Sequence, residues 1–469
     1  MSGTKYIEKC TGGSHLFVDI IILLNIIIAI IFTVFYLYQF VFIFVVLFSK
    51  NKLVTGDSEA KIHNYAVLIA ARNESEVISQ LISSVQGQSY PQQNVTIFVI
   101  ADNCTDNTAQ VARSAGAIVY ERFNKEQVGK GYALDFLFDK IFNDYSKDKF
   151  DAFFVFDADN LLDVNYVAEM NKTFCKGHKI ITSYRNSKNY ADNWLSAGYS
   201  LWFLRESKYM NNARMILGTG CAISGTGFLV SAEIISKNNG WPFHLLTEDI
   251  EFSNHCAIVG SPIAFCKTAI LYDEQPTTFR QSWIQRMRWA KGFYQVFRKY
   301  SSNLIRLIFK KRNFYAFDMF MTILPGMALT SFTILFNLVA IAFGLSIGHD
   351  VWAILRLLIT ALLTLYTLLF VFGGITVITE WKMIHCRWYF KIVYLFTFPL
   401  FMLTYTPIAI VTLFKKVEWK PIKHNSVTTP CGIKPEQVKM VDGVYICPNS
   451  KNSAKCPPGC IYYNKNIKN

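Results

Sequence analysis

Ala152-Phe153-Phe154-Val155-Phe156-Asp157-Ala158-Asp159-Asn160 runs five apolar residues directly into two acids set one residue apart. A short unbroken apolar run reads as a strand covered on both faces, so the acids stand at its carboxyl end. Upstream, strand-like runs at Tyr65–Ala70, Val95–Ala101 and Ala117–Tyr120 alternate with helix-length patterns at Glu76–Gln86, Asn107–Ala115 and Lys130–Phe142. That alternation predicts βαβ units and a parallel sheet, hence an α/β fold. In open sheets of this kind ligands sit beyond the carboxyl ends of the strands.

The residues at those ends are polar and specific: Arg72-Asn73-Glu74 after the first run, Asp102-Asn103-Cys104-Thr105-Asp106 after the second, Asp157-Ala158-Asp159 after the fourth. A single carboxylate there is as readily the N-cap of the next helix, and Thr105 and Asp106 suit that role. Asp157 and Asp159 suit it poorly, because neighbouring acids repel unless a cation or donor sits between them. Their oxygens are ligands for a hard cation, Mg²⁺ or Mn²⁺. With Asp102 to meet a base or ribose, and Lys130 between Gly129 and Gly131 to reach a phosphate, the edge reads as a pocket for a nucleoside diphosphate.

The rest of the chain is unlike a soluble enzyme. Of 469 residues 52% are hydrophobic and 17% charged, with a mean hydropathy of +0.24. Soluble domains carry about a quarter charged residues, so part of this chain is solvated by lipid; disorder and collagen-like repeats are excluded. Four apolar stretches are long enough to span a bilayer: Leu16–Phe48, Phe317–Leu345, Val351–Thr379 and Phe390–Phe414. The expected organisation is an N-terminal anchor (1–48) with Asp19 and Asn25 at one interface, a mixed-polarity domain (49–316), membrane helices (317–414) and a basic tail (415–469). Lys50, Lys52 and Lys61 on one side and Arg306, Lys310, Lys311 and Arg312 on the other put the domain on the cytoplasmic face of an integral membrane protein, expected in the plasma membrane.

The tail holds ten Lys, no Arg and three acids, a net +7 within a chain total of +14. Such a flank favours a membrane surface over nucleic acid. An odd number of distal spans would leave it outside while its lysines ask for the inside, so one stretch is expected to be re-entrant or to split. Cys431, Cys447, Cys456 and Cys460 fit disulfides outside or free thiols inside better than zinc, which prefers tighter pairs.

Downstream in the domain, Thr247-Glu248-Asp249 holds a carboxylate pair, and Gln285-Arg286-Met287-Arg288-Trp289 opens an amphipathic helix near 280–300. Gln285, Arg288 and Trp289 share a helix face. A competing reading makes this an interfacial helix whose Arg280, Arg286, Arg288, Lys291 and Arg298 meet lipid headgroups.

In order, Asp102, Asp157-Ala158-Asp159, Thr247-Glu248-Asp249 and Gln285-Arg286-Met287-Arg288-Trp289 resemble the D, DxD, TED and Q(Q/R)xRW signature of processive family-2 glycosyltransferases, the family of the cellulose, chitin and hyaluronan synthases. The resemblance runs from Tyr65 to Gly292. It implies a GT-A domain fused to transmembrane and interfacial helices, using a UDP-sugar and Mg²⁺ or Mn²⁺. It further implies that Asp102, with Glu74 nearby, binds the nucleotide. Asp157 and Asp159 hold the metal and diphosphate. Asp249 is the general base, and Gln285, Arg286, Arg288 and Trp289 shape the acceptor and diphosphate sides. Gly225-Thr226-Gly227-Phe228 suits close backbone approach near the acceptor, although a plain turn is the commoner use of such glycines.

The expected product is a β-linked polysaccharide, formed by inversion and passed outward by this chain or by a homo-oligomer, since four spans make a narrow channel. Two alternatives stand beside it. One is a transferase that adds a single sugar to a lipid-linked acceptor. The other is a transporter with a nucleotide-sensing domain, which the scarcity of ionisable groups in the spans disfavours.

Overall fold

The computed structural model describes residues 3–49, 60–146, 148–324, 326–346, 351–418, 439–441 and 444–446. The tail cysteines lie outside these residues. Eight strands form one sheet in the order β3-β2-β1-β4-β7-β6-β8-β5, with β1 Tyr65–Ala71, β2 Val95–Asp102, β3 Ile118–Arg122, β4 Ala152–Asp157, β5 Leu161–Leu162, β6 Ile180–Ser187, β7 Phe228–Ser231 and β8 Ala264–Asp273. The four predicted strands are present within two residues at either end. The sheet is mixed where a parallel one is predicted: β7 runs antiparallel to β4 and β6, and β5 antiparallel to β8. Because β6 pairs parallel with β8 and shares β7 with β4, the carboxyl ends of β1, β2, β4, β6 and β8 still face one edge.

Each face has its own apolar core. Ile78–Gln86 and Tyr166–Cys175 cover one face with Leu81, Ile82, Val85, Val167 and Met170. On the other, Lys130–Asp144 buries Leu134, Leu137, Phe138 and Ile141 at helical spacing. That second core continues through the Trp194–Arg205 helix to Phe398, Phe401 and Met402 of the C-terminal apolar helices. Gly198 permits the approach: a Cβ there would lie 2.3 Å from the Phe401 ring.

Two helices among the described residues are long and apolar enough to cross a membrane, Trp352–Thr379 and Trp388–Phe414. The N-terminal helix, Gly3–Phe48, starts 13 residues before the predicted apolar stretch Leu16–Phe48 and lies within the predicted anchor. Its Asn25 exchanges amide bonds with Asn337 at 2.9 and 2.8 Å, so this residue joins two apolar helices. The predicted stretch Phe317–Leu345 is two helices, Phe314–Ile323 and Gly326–Ser346. The first belongs to the domain, since Ala316, Met319 and Ile323 pack with Val296 and Leu304 and Asp318 is buried against Arg214. The boundary expected at 316/317 therefore cuts through a helix.

The last apolar stretch bends at Thr404, between Trp388–Leu403 and Tyr405–Phe414. Near its start Tyr394 Oη donates to the Ala191 carbonyl, and near its end Lys291 Nζ donates to the Thr412 carbonyl at 3.3 Å. Both ends thus touch the α/β domain.

Candidate active site

Strand pairing fixes the spacing of the acids. Ala71 pairs with Ala101 and Ala70 with Asp157, so Asp102 and Asp157 end strands two positions apart, about 10 Å at the usual interstrand distance. Asp102 is buried, and its Oδ1 accepts from Arg122 Nη1 at 2.7 Å and from Asn103 Nδ2 at 3.1 Å. The loops after β1 and β2 are laced together: the Glu74 N–H donates to Thr108 Oγ1 at 2.8 Å and the Thr105 N–H to Asn73 Oδ1 at 2.8 Å. Glu74 is thereby held beside the same edge as Asp102.

Lys130 opens the helix after β3 and is drawn into the acids. Its ammonium lies 2.5 Å from Asp157 Oδ1, 2.6 Å from the Gly225 carbonyl and 3.9 Å from Glu248 Oε1. Burial works against this charge, but Asp157 and Glu248 outweigh it and hold the lysine pKa above its ordinary value. The sequence reading has Lys130 reaching a phosphate; here it joins the Asp-x-Asp pair to the Thr-Glu-Asp run.

Glu248 and Asp249 lie in the first turn of Glu248–Val259, where a helix N-terminus favours negative charge. Asp249 Oδ2 accepts the Gly225 N–H at 2.5 Å. Burial pushes both carboxyl pKa values up, with Lys130 opposing. Gly225 takes φ +80° and Gly227 φ +70°, and a Cβ on Gly227 would lie 1.8 Å from Leu271. The turn that leads into β7 therefore needs glycine, Gly225 for its backbone angle and Gly227 sterically as well, while the Gly225 backbone ties Lys130 to Asp249.

The helix holding Gln285–Trp289 runs from Phe279 to Lys311, starting from the Thr278 cap. Arg288 faces Glu248, Asp157 and Asp249, whose charges oppose the loss of its pKa caused by burial. Trp289 is half-buried, edge-on to Tyr199 (5.7 Å) and Phe203 (6.1 Å). Gln285 Oε1 is buried without a hydrogen-bond partner.

Arg286 departs from expectation. It is 1% exposed, and its Nη1 donates to the Phe401 carbonyl at 3.2 Å and to Thr404 Oγ1 at 2.8 Å, at the bend of the C-terminal helices. Each residue turns a helix by 100°, so Arg286 leaves the face shared by Gln285, Arg288 and Trp289. It anchors the apolar helices in place of lining the acceptor or diphosphate side. Nor do Arg286 and Arg288 reach headgroups, as the interfacial reading expects.

Three charged residues at this edge escape the sequence reading. Arg185, on β6, donates from Nε to Asp273 Oδ2 at 2.6 Å and from Nη1 to the Ser224 carbonyl at 2.7 Å, with its guanidinium 3.5 Å over the Phe203 ring. Asp273 ends β8, and burial raises its pKa to about 6 although Arg185 opposes this. Lys188 follows β6. The available signal is a polar residue closing an apolar run, as Asp273 closes Ala269–Tyr272.

Asp157 and Asp159 fit a cation that arrives with its ligand. Among the described residues no three His, Cys, Asp or Glu side chains are grouped to hold an ion by themselves. Mg²⁺ needs only one or two carboxylates when phosphates and water complete its shell. Asp159 is oriented for this by the Glu274 N–H, which donates to Oδ2 at 3.0 Å.

Residues 63–292 match the family described as "Glycosyltransferase like family 2". The chain is 26% identical over 295 residues to a probable glycosyltransferase, YdaM, of Bacillus subtilis, covering 58% of this chain and 64% of that one. It is 24% identical over 251 residues to a poly-β-1,6-N-acetyl-D-glucosamine synthase of Staphylococcus epidermidis, covering 53% and 59%. A β-monoglucosyldiacylglycerol synthase of Nostoc sp. is 24% identical over 299 residues, covering 61% of each. The chain thus spans about three fifths of the length of these curated relatives. Among solved structures, a mannosyltransferase from Pyrobaculum calidifontis, in complex with GDP-Man and Mn²⁺, superposes with a TM-score of 0.53 at 14% identity, covering 84% of this chain and 99% of that one. The α/β fold is of the GT-A type.

Proposed function

Residues 63–292 form a family-2 glycosyltransferase domain, and from that premise we propose that the chain transfers sugar from a UDP-sugar, with inversion, to a growing β-linked polysaccharide at the cytoplasmic face of the plasma membrane. The observation that carries the reading is the gathering of Asp102, Asp157, Asp159 and Asp249 at one sheet edge beneath the helix bearing Arg288 and Trp289. Asp102 and Glu74 bind the uridine. Asp157 and Asp159 hold Mg²⁺ or Mn²⁺, which when bound offsets the charge of the departing diphosphate.

Asp249 accepts the proton of the acceptor hydroxyl as that oxygen attacks the anomeric carbon. Burial raises its pKa, which makes it a stronger proton acceptor than an exposed carboxylate. Arg288, desolvated beside the acids, stabilises negative charge on the leaving group. Trp289, braced by Tyr199 and Phe203, presents a flat face on which the acceptor sugar stacks. Arg286 keeps this platform docked on the C-terminal helices.

The similarity to a glucosyldiacylglycerol synthase favours a second reading, transfer of one sugar to a lipid. Radiolabelled UDP-sugars offered singly to membranes containing the protein separate the two. High-mass product supports the polymerase, a single sugar on lipid supports the alternative, and incorporation of none of the panel contradicts both.

A further inference from the structure

The carboxyl end of β6 presents a lysine that the reading above leaves without a task. Lys188 is 5% exposed and is fixed at the same edge as the acids: its backbone N–H donates to the Asp273 carbonyl at 2.8 Å. Its neighbour Asn189 accepts the Gln275 N–H at 2.9 Å and donates to the Gln275 carbonyl at 2.9 Å. The carboxylates acting on its charge are Asp159, Glu274, Asp273 and Glu74, from the ends of β4, β8 and β1. The Glu274 N–H bonds Asp159 itself, so lysine and metal-site acid share one patch. A buried ammonium is costly unless anions surround it; burial holds the Lys188 pKa below its ordinary value even though these acids oppose it, so the charge is incompletely compensated before an anionic or cationic ligand arrives.

We propose that Lys188 is a second cationic contact for the donor's diphosphate, and that in the nucleotide-free protein its charge competes with a divalent cation for Asp159. This deepens the donor reading and rests on it. The two roles have opposite signs. Removing the charge leaves the acids more negative, so free Mn²⁺ binds more tightly. The diphosphate loses a charged partner, so UDP binds more weakly.

The test uses the full chain in lipid nanodiscs. Free Mn²⁺ is titrated by electron paramagnetic resonance without nucleotide, and UDP by calorimetry at saturating Mn²⁺. Lys188→Gln is expected to tighten Mn²⁺ several-fold and to weaken UDP about tenfold or more, the usual effect of losing a charge-assisted hydrogen bond. Lys188→Arg is expected to keep UDP affinity within about threefold, since the charge remains. Loosening of both ligands by Lys188→Gln would assign Lys188 to loop packing and overturn the proposal, as would two unchanged affinities. Failure of the unaltered protein to bind UDP would overturn the donor reading as well.

Discussion

Two buried charge clusters in this chain are built to different rules. Arg214 and Asp318 form a closed pair, Nε to Oδ2 at 2.6 Å and Nη2 to Oδ1 at 2.9 Å. Tyr38 Oη donates to Asp318 at 3.1 Å and Arg214 Nη1 donates to Asn211 Oδ1 at 3.0 Å. One cation meets one anion, and the cluster joins the Gly3–Phe48, Asn212–Ile216 and Phe314–Ile323 helices. At the sheet edge Glu74, Asp157, Asp159, Glu206, Glu248, Asp249, Asp273 and Glu274 face Lys130, Arg185, Lys188 and Arg288, eight acids against four cations. A balanced buried cluster makes a joint. One short of positive charge makes a place where a cation and its ligand can add stability by binding.

Breaking the two clusters therefore has different consequences. At the edge, Asp249→Asn is expected to cost turnover by roughly 10²–10⁴, the range for losing a general base, while UDP affinity stays within a few-fold. Equal losses in both quantities would remove Asp249 from the base role. In the joint, Asp318→Ala strands a buried guanidinium and is expected to cost about 3–5 kcal/mol, read as thermal stability in nanodiscs. An unchanged melting temperature would show that the pair bears no structural load.

Arg286→Met tests the link between the platform and the C-terminal helices. We expect shorter product and a lower kcat, with KM for the donor changed less than about threefold and Arg286→Lys restoring part of the loss. A KM rise alone would return Arg286 to the diphosphate. The smallest expected effect concerns pH. Because burial raises the Glu248 and Asp249 carboxyls, turnover should fall on acidification at a pH above the ordinary carboxylate range of about 4. Lys130 holds both values down, so Lys130→Met should move that acid limb to higher pH; a shift to lower pH would reverse the assignment.

How far the sequence carries follows from how each element signals itself. β1 to β4 are short apolar runs, and their acids and intervening helices are readable from pattern alone. β6 is interrupted by Thr182, Ser183 and Arg185 and by a register shift at Ser183/Tyr184, and β7 has four residues, so neither stands out. Arg185, Lys188 and Asp273 were hidden with them. Hydropathy assigned Phe317–Leu345 to lipid because it cannot see that Asp318 meets Arg214, 104 residues upstream. The misplaced Arg286 has a simpler cause: a contiguous motif suggests one shared role, whereas helix rotation sends adjacent side chains to different neighbours.

The most direct test of the account is calorimetric titration of UDP into the purified full chain, once with Mn²⁺ and once with excess chelator. Acids in surplus at the edge predict binding with Mn²⁺ that weakens at least tenfold when the ion is withdrawn. Equal affinity in both titrations, or no binding in either, would contradict a cation-bridged nucleotide site there.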